Sequence, residues 1–155
     1  MKKYYNAFLM LFVSSLTAAA DKPLSAMKAL NQLNDRAGYC MRHNRDILAI
    51  NSPIFDALTN QQKSNTIALI SNQLSIDCLA DSRKKFKQAL IDEGIDYKRK
   101  DYFIYLHDYP LPENLKEFKR DYAEQIDAII KSLKLPADYG SFDTLATIEK
   151  YAPIH

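Results

Sequence analysis

The two cysteines, Cys40 and Cys78, are the residues of this 155-residue chain whose chemistry is easiest to predict. An even number of cysteines favours a single disulfide when a protein is made in an oxidising compartment. The bridge would close a loop of about 38 residues and stabilise the fold by about 4 kcal/mol in the chain-entropy model. Two buried free thiols are the alternative. No Cys-x-x-Cys pair is present, so a catalytic thiol is not expected.

A second set of residues suits binding. Residues 97–109 contain four tyrosines and a run of three basic residues. Tyrosine and arginine are enriched at protein interfaces because each combines apolar area with a polar group. The segment therefore predicts a partner-binding or anionic-surface patch formed by Lys98, Arg99, Lys100, Tyr102, Tyr105 and Tyr109. In the alternative interpretation, Phe103, Ile104 and Leu106 join the core while the tyrosine hydroxyls reach water.

The three histidines, His43, His107 and His155, do not have the spacing of zinc ligands on a helix. Haem ligation by Met27 or Met41 together with His107 is conceivable. The chain has no Cys-x-x-Cys-His motif, however, and methionines on an apolar stripe more often pack in a core. We therefore expect neither a metal nor a cofactor.

Four further basic residues, Arg36, Arg42, His43 and Arg45, lie near Cys40 in the sequence. On a helical wheel they spread over much of the circumference, which predicts a solvated face with no single patch.

Sequence motifs for catalysis are missing: there is no Gly-x-Ser-x-Gly, no His-Glu-x-x-His and no glycine-rich phosphate loop. The neighbouring carboxylates Asp92 and Glu93 would point about 100° apart on a helix, whereas glycoside hydrolysis needs two converging carboxyl groups. An active site would have to be assembled by the fold, so we expect a protein that is not an enzyme.

The first twenty residues have the three parts of a secretory signal peptide. Lys2 and Lys3 precede an apolar run over residues 7–16, and three alanines at 18–20 precede Asp21. The run is shorter than the roughly 20 residues needed to span a bilayer. We predict a cleaved signal peptide over residues 1–20, export to the periplasm or beyond, and no transmembrane segment afterwards.

The charge balance argues against nucleic-acid binding. Removing Lys2 and Lys3 from the 21 Lys and Arg leaves as many basic residues as the 19 Asp and Glu, all of which follow residue 20. A nucleic-acid binder needs a basic excess to neutralise phosphates. That class is therefore excluded.

The elements that must position these residues are helical. Only three glycines occur, and the apolar residues repeat with a helical period, so we predict an all-α fold: a single domain over residues 21–155 with four to six helices. The first helix is expected over 24–50, with an apolar face that includes Met27, Leu30 and Met41. Pro53 is expected to end or restart the helix, with Ser52 as the cap, and a short connecting turn follows over residues 54–58.

The second long helix should follow the capping box formed by Thr59 and Gln62 and end at Gly94. Its apolar stripe changes face near Asp81, so the helix either wraps across two neighbours or breaks there. We expect the Cys40–Cys78 bridge to join these first two long helices.

The remaining chain is predicted in three pieces. Residues 95–110 suit either a helix or a strand. A long amphipathic helix begins at Pro112 and ends at Pro136, and Ser141 or Asp143 starts a last short helix.

These features predict an exported, non-enzymatic binding protein that docks on an envelope or secreted protein. An inhibitor, such as an immunity protein that neutralises a toxin aimed at the cell wall, is one concrete form. A small envelope enzyme acting on cell-wall polymer or lipid, and a helical-bundle ligand carrier, are the alternatives. The sequence does not indicate an oligomeric state.

Overall fold

The computed structural model describes residues 24–107, 110–136 and 138–153. These residues form seven α-helices and no strand, which confirms the all-α prediction. The helices are α1 (Ala26–Cys40), α2 (Pro53–Asp56), α3 (Asn60–Asp92), α4 (Lys100–Leu106), α5 (Glu113–Asp121), α6 (Ala123–Ser132) and α7 (Thr144–Tyr151). The predicted signal peptide, residues 1–20, lies outside the described residues.

The number of helices exceeds the expected four to six, because the predicted helix that starts at Pro112 is divided into α5 and α6. The division falls at Tyr122, which has φ −120° and ψ 22°. Its ring stacks on Phe118 at 4.5 Å between centroids, and its hydroxyl accepts a hydrogen bond of 2.6 Å from Gln62 Nε2 on α3. No proline or glycine marks the position, so the sequence pattern runs through it.

Helix α3 is the central helix, on which the other helices pack, and it runs without a break through Asp81. Thr59 and Gln62 form the predicted capping box at its start. At its end, Gly94 has φ +69°, and Ile95 N donates to Leu90 O at 2.8 Å, which completes a glycine-terminated cap. The apolar stripe of α3 changes face because the two halves of the helix pack into two different core clusters. The first half packs against the segment before α2 and against α6 and α7, and the second half packs against α1 and α4.

Helix α1 lies antiparallel to α3, and the predicted Cys40–Cys78 disulfide joins the two. Ala26 N, at the start of α1, donates to Glu93 Oε1 at 2.9 Å, close to the end of α3. Farther along α1, Arg36 Nε donates to Cys78 O at 3.0 Å. The bridge therefore fixes the end of α1 to the middle of α3.

The expected first helix over 24–50 is wrong beyond Cys40. Ser141 N and Ser141 Oγ both donate to the Cys40 carbonyl, at 2.8 and 3.1 Å, in place of a helical N–H. Leu48 N donates to Thr147 Oγ1 at 3.0 Å. Backbone groups that would extend the helix are thus satisfied by residues about a hundred positions away, which local sequence cannot show.

The apolar face expected for this helix is wrong at Met27 and Met41, which are 68% and 55% exposed, whereas Leu30 packs against the core as expected. The residues buried against α3 are Ala26, Ala29 and Leu33. Alanine side chains on the contact face allow the two helix axes to approach closely, which larger methionines would prevent.

Two alternatives left open by the sequence are resolved. Residues 100–106 are helical, so a strand is excluded for this part of the 95–110 segment. Asp143 caps α7, accepting a hydrogen bond of 2.9 Å from Ala146 N. Within the described ranges, none of the seven helices is both long and apolar enough to cross a membrane.

Candidate functional site

The predicted binding segment forms the turn after α3 and the short helix α4. Its basic residues, Lys98, Arg99 and Lys100, are exposed. Arg99 Nη2 lies 2.9 Å from Asp101 Oδ2, and both side chains are more than half exposed. Such an exposed ion pair contributes little to stability. The basic run therefore faces solvent.

The tyrosines of the segment are oriented differently. Tyr102 and Tyr105 are half-buried, and each meets the ring of Phe86 edge-on, with centroids 6.0 and 6.1 Å apart. Ile104, which the alternative interpretation assigned to the core, is 60% exposed. The tyrosines thus hold α4 against α3, while Ile104 projects into solvent. Tyr109 lies outside the described residues.

A mostly apolar groove of about 180 Å³ opens between the start of α1, the end of α3 and the turn before α4. Met27, Leu30, Ile95 and Tyr102 contribute to its walls. Glu93 also lines it, but its carboxylate is occupied by Ala26 N. We refer to Met27, Leu30, Ile95 and Tyr102, together with residues 98–100, as the α4 surface.

A second feature surrounds the disulfide. Cys40 and Cys78 are buried, and residues 138–143 pass over the end of α1. Gly140 has φ +75°, and a Cβ built there would lie 2.8 Å from the Cα and the carbonyl carbon of Cys40, and closer still to the carbonyl oxygen. Only glycine satisfies both the backbone angle and the close approach.

Beside the disulfide, side chains from α1, the loop after it and residues 138–143 form a connected group. The guanidinium carbons of Arg36 and Arg42 lie 4.7 and 3.7 Å from the centre of the Tyr39 ring. The Tyr39 hydroxyl donates to Asp138 Oδ2 at 2.6 Å, and Arg42 Nη2 lies 3.7 Å from the same oxygen. We refer to these four residues as the Tyr39 cluster.

The expectation that Arg36, Arg42, His43 and Arg45 form no single patch is wrong for Arg36 and Arg42, whose guanidinium groups meet on the Tyr39 ring. Arg42 and Arg45 are nevertheless exposed, as expected for a solvated face. Helix α1 ends at Cys40, so a helical wheel does not describe the residues that follow it. The sequence did contain a signal for the contact: Arg36 and Tyr39 are three residues apart on α1, and a turn in which Arg42 N donates to Tyr39 O at 3.1 Å continues that spacing after the helix ends.

His43 is held on both ring nitrogens. Arg42 Nε donates to His43 Nε2 at 3.0 Å, so Nδ1 carries the proton that is shared with Asp46 Oδ2 at 2.6 Å. The ring stacks on Tyr139, with centroids 4.6 Å apart. Burial, with a smaller contribution from the charge of Asp46, raises the pKa of Tyr139. With no free nitrogen, this imidazole is arranged to fix the loop and not to accept a proton from a substrate.

No three His, Cys, Asp or Glu side chains in the part of the chain that the structure describes are grouped to hold a metal ion. Met27 and Met41, the two methionines considered as haem ligands, are both exposed.

Tyr39→Phe should change how stability depends on pH. The hydrogen bond from Tyr39 is the main cause that holds the pKa of Asp138 below 3.8, partial desolvation opposes it, and the charges of Arg42 and Arg36 add to the lowering. A carboxyl whose pKa is lowered by folding stabilises the protein above its unfolded pKa, and this contribution is lost as the pH falls through the folded pKa. The difference in melting temperature between wild type and Tyr39→Phe should therefore shrink below about pH 4. A difference that stays constant down to about pH 3 would contradict it.

The structure thus places Tyr102 in the wall of a groove that also includes Met27, leaves the basic run exposed, and assembles the Tyr39 cluster at the other end of α1. No protein-family model, curated protein or solved structure matches this chain.

Proposed function

We propose that this protein is exported to the periplasm or secreted, and that it is a non-enzymatic binding protein that docks on an envelope or secreted protein. The α4 surface carries the proposal, because an apolar groove opens there and the three exposed basic residues 98–100 lie in the chain between two of its wall residues, Ile95 and Tyr102. An inhibitor, such as an immunity protein that neutralises a toxin aimed at the cell wall, is one form of this function.

The composition of the α4 surface supports protein recognition. Met27, at 68% exposure, and Tyr102 line the same groove, and Ile104 on α4 is 60% exposed. Methionine, tyrosine and arginine are enriched where proteins meet, and binding energy concentrates where an apolar side chain fills a pocket. A groove of about 180 Å³ suits one such side chain of a partner.

The same groove is small for the alternative functions. Pockets that hold cofactors or drug-sized molecules usually enclose about 300–1,000 Å³. A groove of about 180 Å³ is below that range, so this groove suits a partner's side chain better than a ligand, although two other grooves, of about 420 and 400 Å³, have volumes within the range.

Rigidity and compartment are consistent with this function. The Cys40–Cys78 bridge stiffens the scaffold, and a rigid surface loses less conformational entropy when it binds. Disulfides persist in the periplasm and outside the cell, where the predicted signal peptide would direct the chain.

A pull-down with matched variants tests the proposal. Tagged protein spanning residues 21–155 is mixed with envelope extract and culture supernatant of its own organism, and retained proteins are identified by mass spectrometry. We expect Met27→Asp to weaken capture of a stoichiometric partner about tenfold or more, because a carboxylate would be placed at the apolar groove. Leu145→Asp is the control, since Leu145 on α7 is 75% exposed and lies outside this surface.

Equal loss of capture by both variants would show that the α4 surface is not the binding site. Retention of no partner by a folded, disulfide-bonded bait would refute docking on these proteins. Tyr102→Ser and Tyr105→Ser are poorer tests, because both rings pack on Phe86 and their loss also lowers stability.

A further inference from the structure

Arg42 is held in place by its neighbours while most of its hydrogen-bonding capacity is unused. The guanidinium lies on the Tyr39 ring at 3.7 Å, and Nε donates to His43. These two contacts fix the plane of the group. Neither Nη atom donates a hydrogen bond to any residue that the structure describes: Asp138 Oδ2 is 3.7 Å from Nη2, which is beyond hydrogen-bond distance.

The supports of Arg42 are themselves rigid. Tyr39 precedes Cys40, whose side chain is bridged to α3 and whose carbonyl accepts two hydrogen bonds from Ser141. His43 is fixed by Asp46 and by stacking on Tyr139. An arginine presented in this way loses little conformational freedom when a ligand binds it.

The Tyr39 cluster itself holds two guanidinium groups, on Arg36 and Arg42, and one carboxylate, on Asp138. Asp138 Oδ2 lies 3.7 Å from Arg42 Nη2, and Arg36 borders a polar groove that Asp77, Asp81 and Lys85 also line. The four residues of the cluster therefore carry one positive charge more than their single carboxylate balances, and the exposed Nη edge of Arg42 is where a second carboxylate can approach.

We propose that Arg42, buttressed by Tyr39, is a recognition site for a carboxylate on an acidic segment of a partner peptide or protein. The site is separate from the α4 surface, because Arg42 follows the end of α1 whereas the groove lies at its start. The proposed carboxylate site therefore does not depend on whether the α4 surface binds a partner.

The class of anion follows from the charge and from the donors. A guanidinium presents paired N–H groups that match the two oxygens of a carboxylate. The cluster already holds one carboxylate, Asp138, between the Tyr39 hydroxyl and Arg42. The single remaining charge suits a second monoanion better than a doubly charged phosphate, which would approach Asp138 and Asp46 with more repulsion.

The test is fluorescence anisotropy of a labelled hexaglutamate peptide with the full mature chain at low ionic strength, where charge pairs are least screened. Hexaglutamine is the uncharged reference. We expect Arg42→Gln to weaken peptide binding about tenfold or more, as loss of a charge-assisted hydrogen-bond pair would. Arg99→Gln removes the same charge from the exposed basic run and should change the affinity less than about twofold.

Asp138→Asn gives a test in the opposite direction. It removes the competing carboxylate and keeps an oxygen that can accept the Tyr39 hydrogen bond, so peptide affinity should rise severalfold. A role for Arg42 that is only structural would not produce this gain. The melting temperature of each variant shows whether it is folded.

Three outcomes would overturn the assignment. The first is no difference between hexaglutamate and hexaglutamine. The second is an Arg99→Gln effect as large as that of Arg42→Gln, which would mean non-specific attraction. The third is displacement of the peptide by inorganic phosphate or by phosphatidylglycerol vesicles at concentrations where acetate has no effect. That result would mean that the site binds phosphate groups and not carboxylates.

Discussion

Replacing both cysteines by alanine is expected to lower the free energy of unfolding by about 4 kcal/mol. The loop that the bridge closes spans 38 residues, and opening it returns conformational freedom to the unfolded chain. The bridge also ties α1 to α3 at a point where both sulfurs are buried, so the double variant leaves a small void in addition. Urea denaturation of the Cys40→Ala/Cys78→Ala protein beside the wild type measures the difference.

Wild-type protein treated with a reductant is the matched control, because it loses the bond and keeps the side chains. It should lose most of the stability that the double variant loses. An unchanged denaturation midpoint in both samples would rule out a structural role for the bridge. Intact mass of the protein isolated from its own organism under non-reducing conditions checks separately that the bond forms in the cell.

Gly140→Ala is expected to destabilise the fold by about 2–4 kcal/mol. A positive φ costs an alanine roughly 1 kcal/mol relative to glycine, and forcing a methyl group into a packed contact costs about 1–3 kcal/mol more. The methyl group would meet the backbone of Cys40, which is held by the disulfide and by Ser141, so it cannot move aside easily. Thermal or urea unfolding measures the loss.

The other two glycines of the chain are the controls. Gly94 has φ +69° and open space around its Cα, so Gly94→Ala should lose about 1 kcal/mol from the backbone angle alone. Gly38 lies in α1 with no such angle and no neighbour within 4 Å, so Gly38→Ala should be neutral or stabilising by up to about 1 kcal/mol. Equal effects at Gly140 and Gly94 would show that the loop yields to the methyl group.

Predictions from the sequence succeeded where the relevant contacts are close along the chain. The start of α3 follows from the side chains of Thr59 and Gln62, which bond to backbone groups three residues away. Its end follows from Gly94, and Asp143 at the start of α7 is one of the two positions that the sequence offered for that helix. Each of these signals acts within one helical turn, so it is complete in a short stretch of sequence.

Predictions failed where distant residues competed with local preference. The apolar period of residues 24–50 favours a long helix, yet Ser141 and Thr147 take the hydrogen-bonding positions that would continue it. The division at Tyr122 coincides with a hydrogen bond from Gln62 of α3 to the Tyr122 hydroxyl. After α1, a tertiary hydrogen bond replaces a local one of similar strength, and only the assembled fold decides between them.

The sequence by itself determined the helical class, the main capping positions, the cysteine pair and the exposed basic run at residues 98–100. Tertiary structure alone decided that Tyr102 would line an apolar groove with Met27, and that Arg36, Tyr39, Arg42 and Asp138 would meet. Local propensity acts over a few residues, whereas these surfaces join segments up to about a hundred residues apart. Their geometry depends on how α1 packs on α3 and on where the 138–143 segment crosses the end of α1.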